Sequence, residues 1–371
     1  MSSVLFSPLA LRELELQNRI VVSPMCQYSA VDGNATDWHV IHLGTLSQSG
    51  AGLVLIEATA VSSAGRIAPG CLGLWSDANE AALKRVLDAI RPYATSPIGI
   101  QLSHSGRKGS VTAPWLGGKG MSAEQGGWTP LAPSAIPLSP ADLVPRAMTG
   151  ADIAQLIADF TAAARRADRL GLAAIELHCA HGYLLHQFLS PIANRRTDEF
   201  GGSLANRMRL PLAAFDAMRA VWPANKPLGV RVSSTDWMEH TGEPSWTLDE
   251  TVAFARELRS RGVDWIDAST GGISPQQKIP LAPGYQVPFA ERIKRETGVT
   301  TIGIGLITEP AQAEAVLAGG QADLVALARG MLWDPRWVWH AAAQLGGTVV
   351  PPPQYRRAPP AELARVFSPL P

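Results

Sequence analysis

Short runs of β-branched and other apolar residues alternate along this chain with longer stretches in which apolar positions recur at helical spacing. The apolar runs fall at residues 19–25, 52–61, 98–104, 174–180, 228–234, 265–269, 301–306 and 324–329, and each predicts a strand. Between them the helical period predicts helices over 38–49, 77–93, 149–170, 206–222, 248–261, 286–297, 310–318 and 335–345. Thr149 stands three residues before Asp152 and ahead of an apolar-periodic run, which is a helix-capping pattern. Pro310 sits just inside its helix, where a missing N–H costs nothing. Eight β-then-α units with strands buried on both faces predict a closed parallel barrel.

Three segments stand outside the repeat. Residues 5–16 predict a short N-terminal hairpin closing the barrel floor. Residues 106–143, rich in Gly, Pro, Ser and Trp, form a long excursion after the third strand; a loop of that length in a compact fold is commonly functional or disordered. Residues 346–371 form an extended Pro-rich C-terminal tail carrying Gln354-Tyr355-Arg356-Arg357. Length alone suggests two or three domains of ~150 residues. A barrel closes with ~250 residues and tolerates insertions beyond that, so the expectation is α/β, one (β/α)8 TIM-barrel domain over residues 1–371.

Composition narrows the function. The formal net charge is zero, which argues against nucleic acid or an anionic membrane surface as an obligate partner. The three cysteines, Cys26, Cys71 and Cys179, form no C-x-x-C pair, so a zinc ribbon, an iron–sulfur cluster held by this chain alone and a disulfide scaffold are all disfavoured. No apolar run reaches ~18 residues and the N-terminus lacks a signal-type apolar core. The expected location is cytoplasmic.

In a barrel of this kind the chemistry sits at the C-terminal ends of the strands. Glycine-rich turns after strands seven and eight, at Gly305 and Gly330, expose backbone N–H groups where barrels commonly bind phosphate, and Arg329 adds a permanent fork of donors. The alternative is simple turn glycines beside a solvated cation. His178 and His181 follow strand four at i, i+3. They can be structural, can ligate a metal, or can aim two donors at one developing oxyanion. No carboxylate or third histidine stands nearby in ligand-like spacing, so no metal is expected. Tyr183 is a candidate proton donor. No lysine occupies a strand end, which disfavours a Schiff-base aldolase. Arg231 points from strand five into the barrel mouth, where it needs an anionic partner or a salt bridge.

At these residues the sequence resembles the Old Yellow Enzyme family, in particular the bacterial xenobiotic reductases and NADPH-dependent enoate reductases. The matching strings are Asn18-Arg19-Ile20, Ser23-Pro24-Met25-Cys26-Gln27-Tyr28, Glu57-Ala58-Thr59-Ala60-Val61 and Gln101 through His104 to Lys108. They continue with His178 through His181-Gly182-Tyr183-Leu184 to Asn194-Arg195-Arg196-Thr197-Asp198-Glu199-Phe200-Gly201-Gly202-Ser203, Asn206-Arg207, Arg231-Val232-Ser233, Gly305-Leu306-Ile307-Thr308 and Ala322 through Ala328 to Arg329. They run in family order across nearly the whole chain.

The resemblance implies noncovalent FMN on top of the barrel and NADPH as hydride donor. It implies that Ser23, Pro24, Met25 and Cys26 line the flavin, with Cys26 tuning its potential, and that Ala58 leaves room for the ring. His178 also borders the cofactor, Gln101 and Arg231 bind the pyrimidine edge, and Gly305, Leu306, Ala328 and Arg329 hold the phosphate. Substrate contacts fall to Tyr28, His178, His181, Tyr183 and Ile302. Tyr183 resembles the proton donor. Arg357 resembles an arginine finger reaching a neighbouring protomer, which implies a homodimer or homotetramer sharing the tail. Two departures stand out: Ala358-Pro359-Pro360 replaces a tail tryptophan, and Ile302 stands where some xenobiotic reductases carry a large aromatic. The loop with Trp115 and Trp128 resembles one that covers the site.

The expected activity is that of an NADPH dehydrogenase or enoate reductase. NADPH reduces FMN; hydride then passes to Cβ of an enone, enal, maleimide or nitro compound with protonation at Cα. A phosphosugar isomerase or aldolase and a flavin-storing barrel are the competing expectations.

Overall fold

The computed structural model describes residues 3–368; residues 1, 2 and 369–371, the two ends of the expected domain and tail, lie outside the described residues. The chain opens with an antiparallel hairpin, β1 (Leu9–Leu11) and β2 (Leu14–Leu16). Strands β3 (Ile20–Val22), β4 (Leu53–Ala60) and β5 (Ile98–Ser103) follow; then the long excursion contributes a two-residue parallel pair, β6 (Leu131–Ala132) and β7 (Arg146–Ala147). After these come β8 (Ile175–Cys179), β9 (Leu228–Ser233), β10 (Ile266–Ser269), β11 (Thr301–Gly303) and β12 (Leu324–Leu327). The eight long-range strands pair in parallel in chain order, and β12 returns to β3 to close a (β/α)8 barrel.

The strands run where the apolar pattern placed them, with shorter ends. The helices α1 (Asp37–Ser47), α2 (Asp77–Ile90) and α3 (Gly150–Arg169) match their predicted spans to within a turn. The Thr149 hydroxyl accepts from the Asp152 N–H as the capping pattern required. Next come α4 (Leu184–Leu189), α5 (Leu204–Val221), α6 (Leu248–Ser260), α7 (Val287–Thr297), α8 (Pro310–Ala318), α9 (Arg329–Trp333) and α10 (Trp337–Leu345). Helix α5 starts two residues earlier than periodicity suggested because Ser203 caps it. Two helices, α4 and α9, were not foreseen. All six residues of α4 are buried, so it has no polar face to produce a helical period. The residues read as the end of strand eight instead turn at Ala328 into α9.

Alternation inside the barrel makes its layers. An apolar cluster inside the barrel includes Val21, Leu53, Leu55, Ala174, Trp265, Ile302 and Leu324, and Leu11 and Leu16 of the hairpin join it from below. Trp265 fits because Gly229 opposite lacks a side chain: a Cβ there would lie 1.9 Å from the indole. The larger apolar core fills the space between strands and outer helices, with Phe160, Phe188, Phe215 and Phe254 fully buried. The floor is thus closed by packing, and the polar side chains of the upper layers face the other end. The tail folds back on α10, where Phe367 packs against Trp339 with ring centroids 4.8 Å apart. No described helix is long and apolar enough to cross a membrane.

Candidate active site at the C-terminal mouth of the barrel

The turn after β8 builds the centre of the site. His181 and Gly182 both take positive φ, 59° and 71°, so the chain reverses sharply and lifts Tyr183 above the barrel. Gly182 has no alternative residue in this position, because a Cβ would lie 2.0 Å from the Gly272 carbonyl oxygen. The turn is pinned from below. His186 Nδ1 accepts the Gly182 N–H at 2.8 Å, which puts the ring proton on Nε2, and Nε2 donates to Asp236 Oδ1 at 2.9 Å. Gln187 Nε2 donates to the Gly182 carbonyl at 2.7 Å. Lys108 Nζ donates to the His181 carbonyl at 2.8 Å and lies 5.1 Å from the Tyr183 ring centroid. Burial lowers the Lys108 ammonium to about 8, with Arg107 adding repulsion.

His178 and His181 stand edge to face, with centroids 5.1 Å apart. His178 Nδ1 accepts the Ala180 N–H at 3.2 Å, so its proton is on Nε2, which has no partner among the described residues. His181 Nε2 lies 2.6 Å from the Ser269 hydroxyl, and that hydroxyl receives Gln286 Nε2 at 3.2 Å. Burial, reinforced by Arg231, holds both imidazoles well below their ordinary pKa, hence neutral. Two neutral imidazoles can therefore offer N–H groups without titrating. Tyr183 packs on His178 with centroids 5.0 Å apart. Desolvation pushes its phenol well above the usual range, so it stays protonated.

Over the turn, Tyr28, Tyr183, Arg107, Lys108, Val111 and Leu143 are among the residues lining a cavity of about 220 Å³. The excursion at 106–143 thus walls the site. Tyr28, held at φ 51°, meets Trp115 edge to face at 5.7 Å. Its segment is tied to β4 by the Gln27 N–H, which donates to Glu57 Oε2 at 2.9 Å.

A larger cavity of about 1230 Å³ runs along the mouth. Ser23, His181 and Arg231 line its inner end; Gly305, Leu306, Ala328 and Arg329 line its outer end. Gly305 and Leu306 have φ of 107° and 54°, which turns the chain so that successive N–H groups face outward. The N–H groups of Gly305, Leu306, Arg329 and Gly330 have no hydrogen-bond partner among the described residues. Arg231 pairs with Asp267, Nε to Oδ2 at 3.2 Å, yet its Nε makes no hydrogen bond. The salt-bridge reading of Arg231 is met in part by Asp267, and the residue also lines the cavity.

The other expected cofactor residues lie around this inner end. Pro24, Met25 and Cys26 are half-buried beyond β3, and Ala58 is buried on β4. Burial, with Cys71 and Glu57 nearby, keeps Cys26 a neutral thiol. Gln101 lies one layer lower, donating to Glu176 Oε1 at 2.8 Å.

Two expected positions are not brought to the mouth. Ile302 is fully buried inside the barrel, one inward step below Ile304, which lines the cavity instead. That corrects its expected place in the substrate pocket. Arg357 is exposed on the tail and is not among the residues lining this chain's own cavities. Sequence reasoning assigned no role to Ser269, Gln286 or Glu57. Ser269 carried a signal, since it ends strand six, but its contact with a histidine 88 residues away did not show in any spacing.

The profile of the NADH:flavin oxidoreductase / NADH oxidase family matches residues 4–347. An NADPH dehydrogenase of Geobacillus sp. (strain WCH70) is 44% identical over 359 residues, covering 96% of this chain and 99% of that protein. Among solved structures, morphinone reductase superposes with a TM-score of 0.76 at 27% identity, covering 100% of this chain and 94% of that one. A complex of 2-naphthoyl-CoA reductase with 2-naphthoyl-CoA gives a TM-score of 0.80 at 26% identity, covering 90% of this chain and 51% of that one.

Proposed function

The chain belongs to the NADH:flavin oxidoreductase / NADH oxidase family and is a flavin-dependent NAD(P)H oxidoreductase that uses FMN, and from that premise we propose that it reduces the C=C bond of α,β-unsaturated carbonyl or nitro compounds. The cavity along the mouth fits the cofactor at both ends. At the inner end the Arg231 guanidinium lines the cavity, a cation suited to the polar edge of a flavin. At the outer end the unpaired N–H groups around Gly305 and Arg329 suit a phosphate. Ser23, Pro24, Met25, Cys26, Ala58, Gln101 and His178 would complete the enclosure. Bound there, FMN would supply the two-electron chemistry, accepting hydride from NADPH and giving it to the substrate's Cβ.

The chain's own part is placement and charge. The observation that carries the reading is the pair of neutral imidazoles beside Arg231. His178 presents Nε2–H. With the Ser269 hydroxyl, which receives Gln286, as donor to His181 Nε2, the ring proton stands on Nδ1. A carbonyl oxygen between these two N–H groups is stabilised as it gains negative charge, and one such donor contributes up to ~3 kcal/mol. Tyr183 keeps its hydroxyl proton for Cα. Tyr28 and the 106–143 excursion bound the substrate and exclude water. The exposed Arg357 is available to a second protomer, which supports a shared tail in a homodimer or homotetramer.

The test is an anaerobic absorbance titration of the holoenzyme. A flavin band that bleaches with NADPH and returns with 2-cyclohexenone supports the reading. A band that bleaches and returns only with oxygen sinks ene reduction while leaving the family assignment intact.

A further inference from the structure

One layer beneath the mouth, Glu176 on β8, Arg231 on β9 and Asp267 on β10 converge inside the barrel. Glu176 is fully enclosed; its Oε1 accepts Gln101 Nε2 at 2.8 Å and its Oε2 accepts Trp265 Nε1 at 2.9 Å. Asp267 stands in register with Arg231. Neither Asp267 oxygen nor Arg231 Nε makes a hydrogen bond, although Nε and Oδ2 are 3.2 Å apart. Asp267 thus pairs with the Arg231 guanidinium, and Glu176 feels the charge of both. The other titratable groups near Glu176 are His178 and Cys179 on its own strand, both held neutral by burial, and Gln101 from β5 and Trp265 beside β10 bring no charge. Fully ionised, the cluster would leave a net negative charge in a low-dielectric interior, which is costly. Burial raises both acids, with Asp267 adding repulsion at Glu176, and the pair titrates as a unit.

We propose that Glu176 and Asp267 form a proton-accepting pair that balances the charge the cofactor gains on reduction. Hydride transfer oxidises the nicotinamide and delivers two electrons with one hydrogen nucleus. With FMN held as proposed, that exchange would add one negative charge to the cofactor, within reach of the Arg231 that lines the cavity. That charge weakens the hold of Arg231 on the carboxylates below, and the pair takes one proton from solvent through the cavity that Arg231 lines. When the substrate removes the hydride, the pair returns the proton. The proton that Tyr183 gives to Cα is a separate one. Glu176 and Asp267 touch neither substrate nor reacting atoms, so they are positioning residues for charge.

The inference rests on the cofactor placement proposed above, and its readouts are a potential and a vibrational band. The midpoint potential of the holoenzyme is measured from pH 7 to 9, beside Glu176→Gln and Asp267→Asn. Each proton coupled to a two-electron change adds about 30 mV per pH unit to the slope. The parent is expected to be steeper than either variant by about that amount. Infrared difference spectra should show a carboxylic-acid carbonyl band gained on reduction, shifted in D₂O and missing in Glu176→Gln. Equal slopes with no such band overturn the proton pair alone. Failure of added FMN to be quenched by the apoprotein overturns the cofactor placement and this inference together. Should Glu176→Gln fail to hold FMN, Asp267→Asn decides by the same two readouts.

Discussion

His178 on β8 pairs in register with Arg231 on β9, so a neutral imidazole and a permanent cation rise side by side into the barrel mouth. The cation is one reason the imidazole stays neutral, and a neutral ring can donate only through the nitrogen that the Ala180 N–H leaves protonated.

His178→Ala and His181→Ala should each slow enone reduction by on the order of 10²-fold and weaken binding of phenols, with FMN retained. Single-turnover rates and phenol titrations check this; full activity in either variant would remove the oxyanion-donor role. Both pKa values lie well below the ordinary value, so lowering the pH from 7.5 to about 6 should leave both rings neutral and the enone rate free of a histidine titration.

Tyr183→Phe should leave flavin reduction by NADPH intact and slow the enone half-reaction by roughly 10²-fold or more. Stopped-flow measurement separates the two halves. Because desolvation raises the phenol, the parent's enone rate should show no loss from Tyr183 ionisation as pH rises toward 10.

Ser269→Ala removes the partner of His181 Nε2 and lets the ring choose its tautomer. The loss of one hydrogen bond, about 0.5–1.5 kcal/mol, predicts phenol binding weaker by about two- to twelve-fold, with the midpoint potential unchanged. Unaltered phenol affinity would mean the tautomer is set elsewhere.

His104 is buried, and its Nδ1 accepts the Gly106 N–H. Burial lowers it from 6.5 to about 4. Between those values the unfolded chain binds the extra proton, so stability is complete above 6.5 and declines as pH falls toward 4. In urea unfolding with saturating FMN, His104→Gln should reduce the stability lost between pH 7.5 and 5 by about 2 kcal/mol. An identical loss in both proteins would assign the acid sensitivity to other groups.

The barrel was legible because its strands are buried on both faces and its helices on one, which writes two different periods into the chain. Helices α4 and α9 were not, since a single turn buried all round or used as a cap has no period to read. For the site, motif residues such as His178, Arg231 and Arg329 were found at strand ends, where the fold puts its chemistry. What spacing could not supply was depth within the barrel. Ile302 and Ile304 are alike in sequence, yet only Ile304 lines the cavity while Ile302 is fully enclosed below it. Nor could it supply contacts across strands, such as Ser269 with His181.

Gly182 and Gly272 meet backbone to backbone. A Cβ on the first would strike the Gly272 carbonyl oxygen, and a Cβ on the second would come within 2.4 Å of the His181 carbonyl carbon. The turns after β8 and β10 are therefore geared to one another with no side chain to cushion them. A change that lengthens or re-aims either turn moves His181, even when its own codon is untouched. Libraries meant to broaden what this protein reduces would do best to vary the 106–143 excursion and leave these two turns as a matched set.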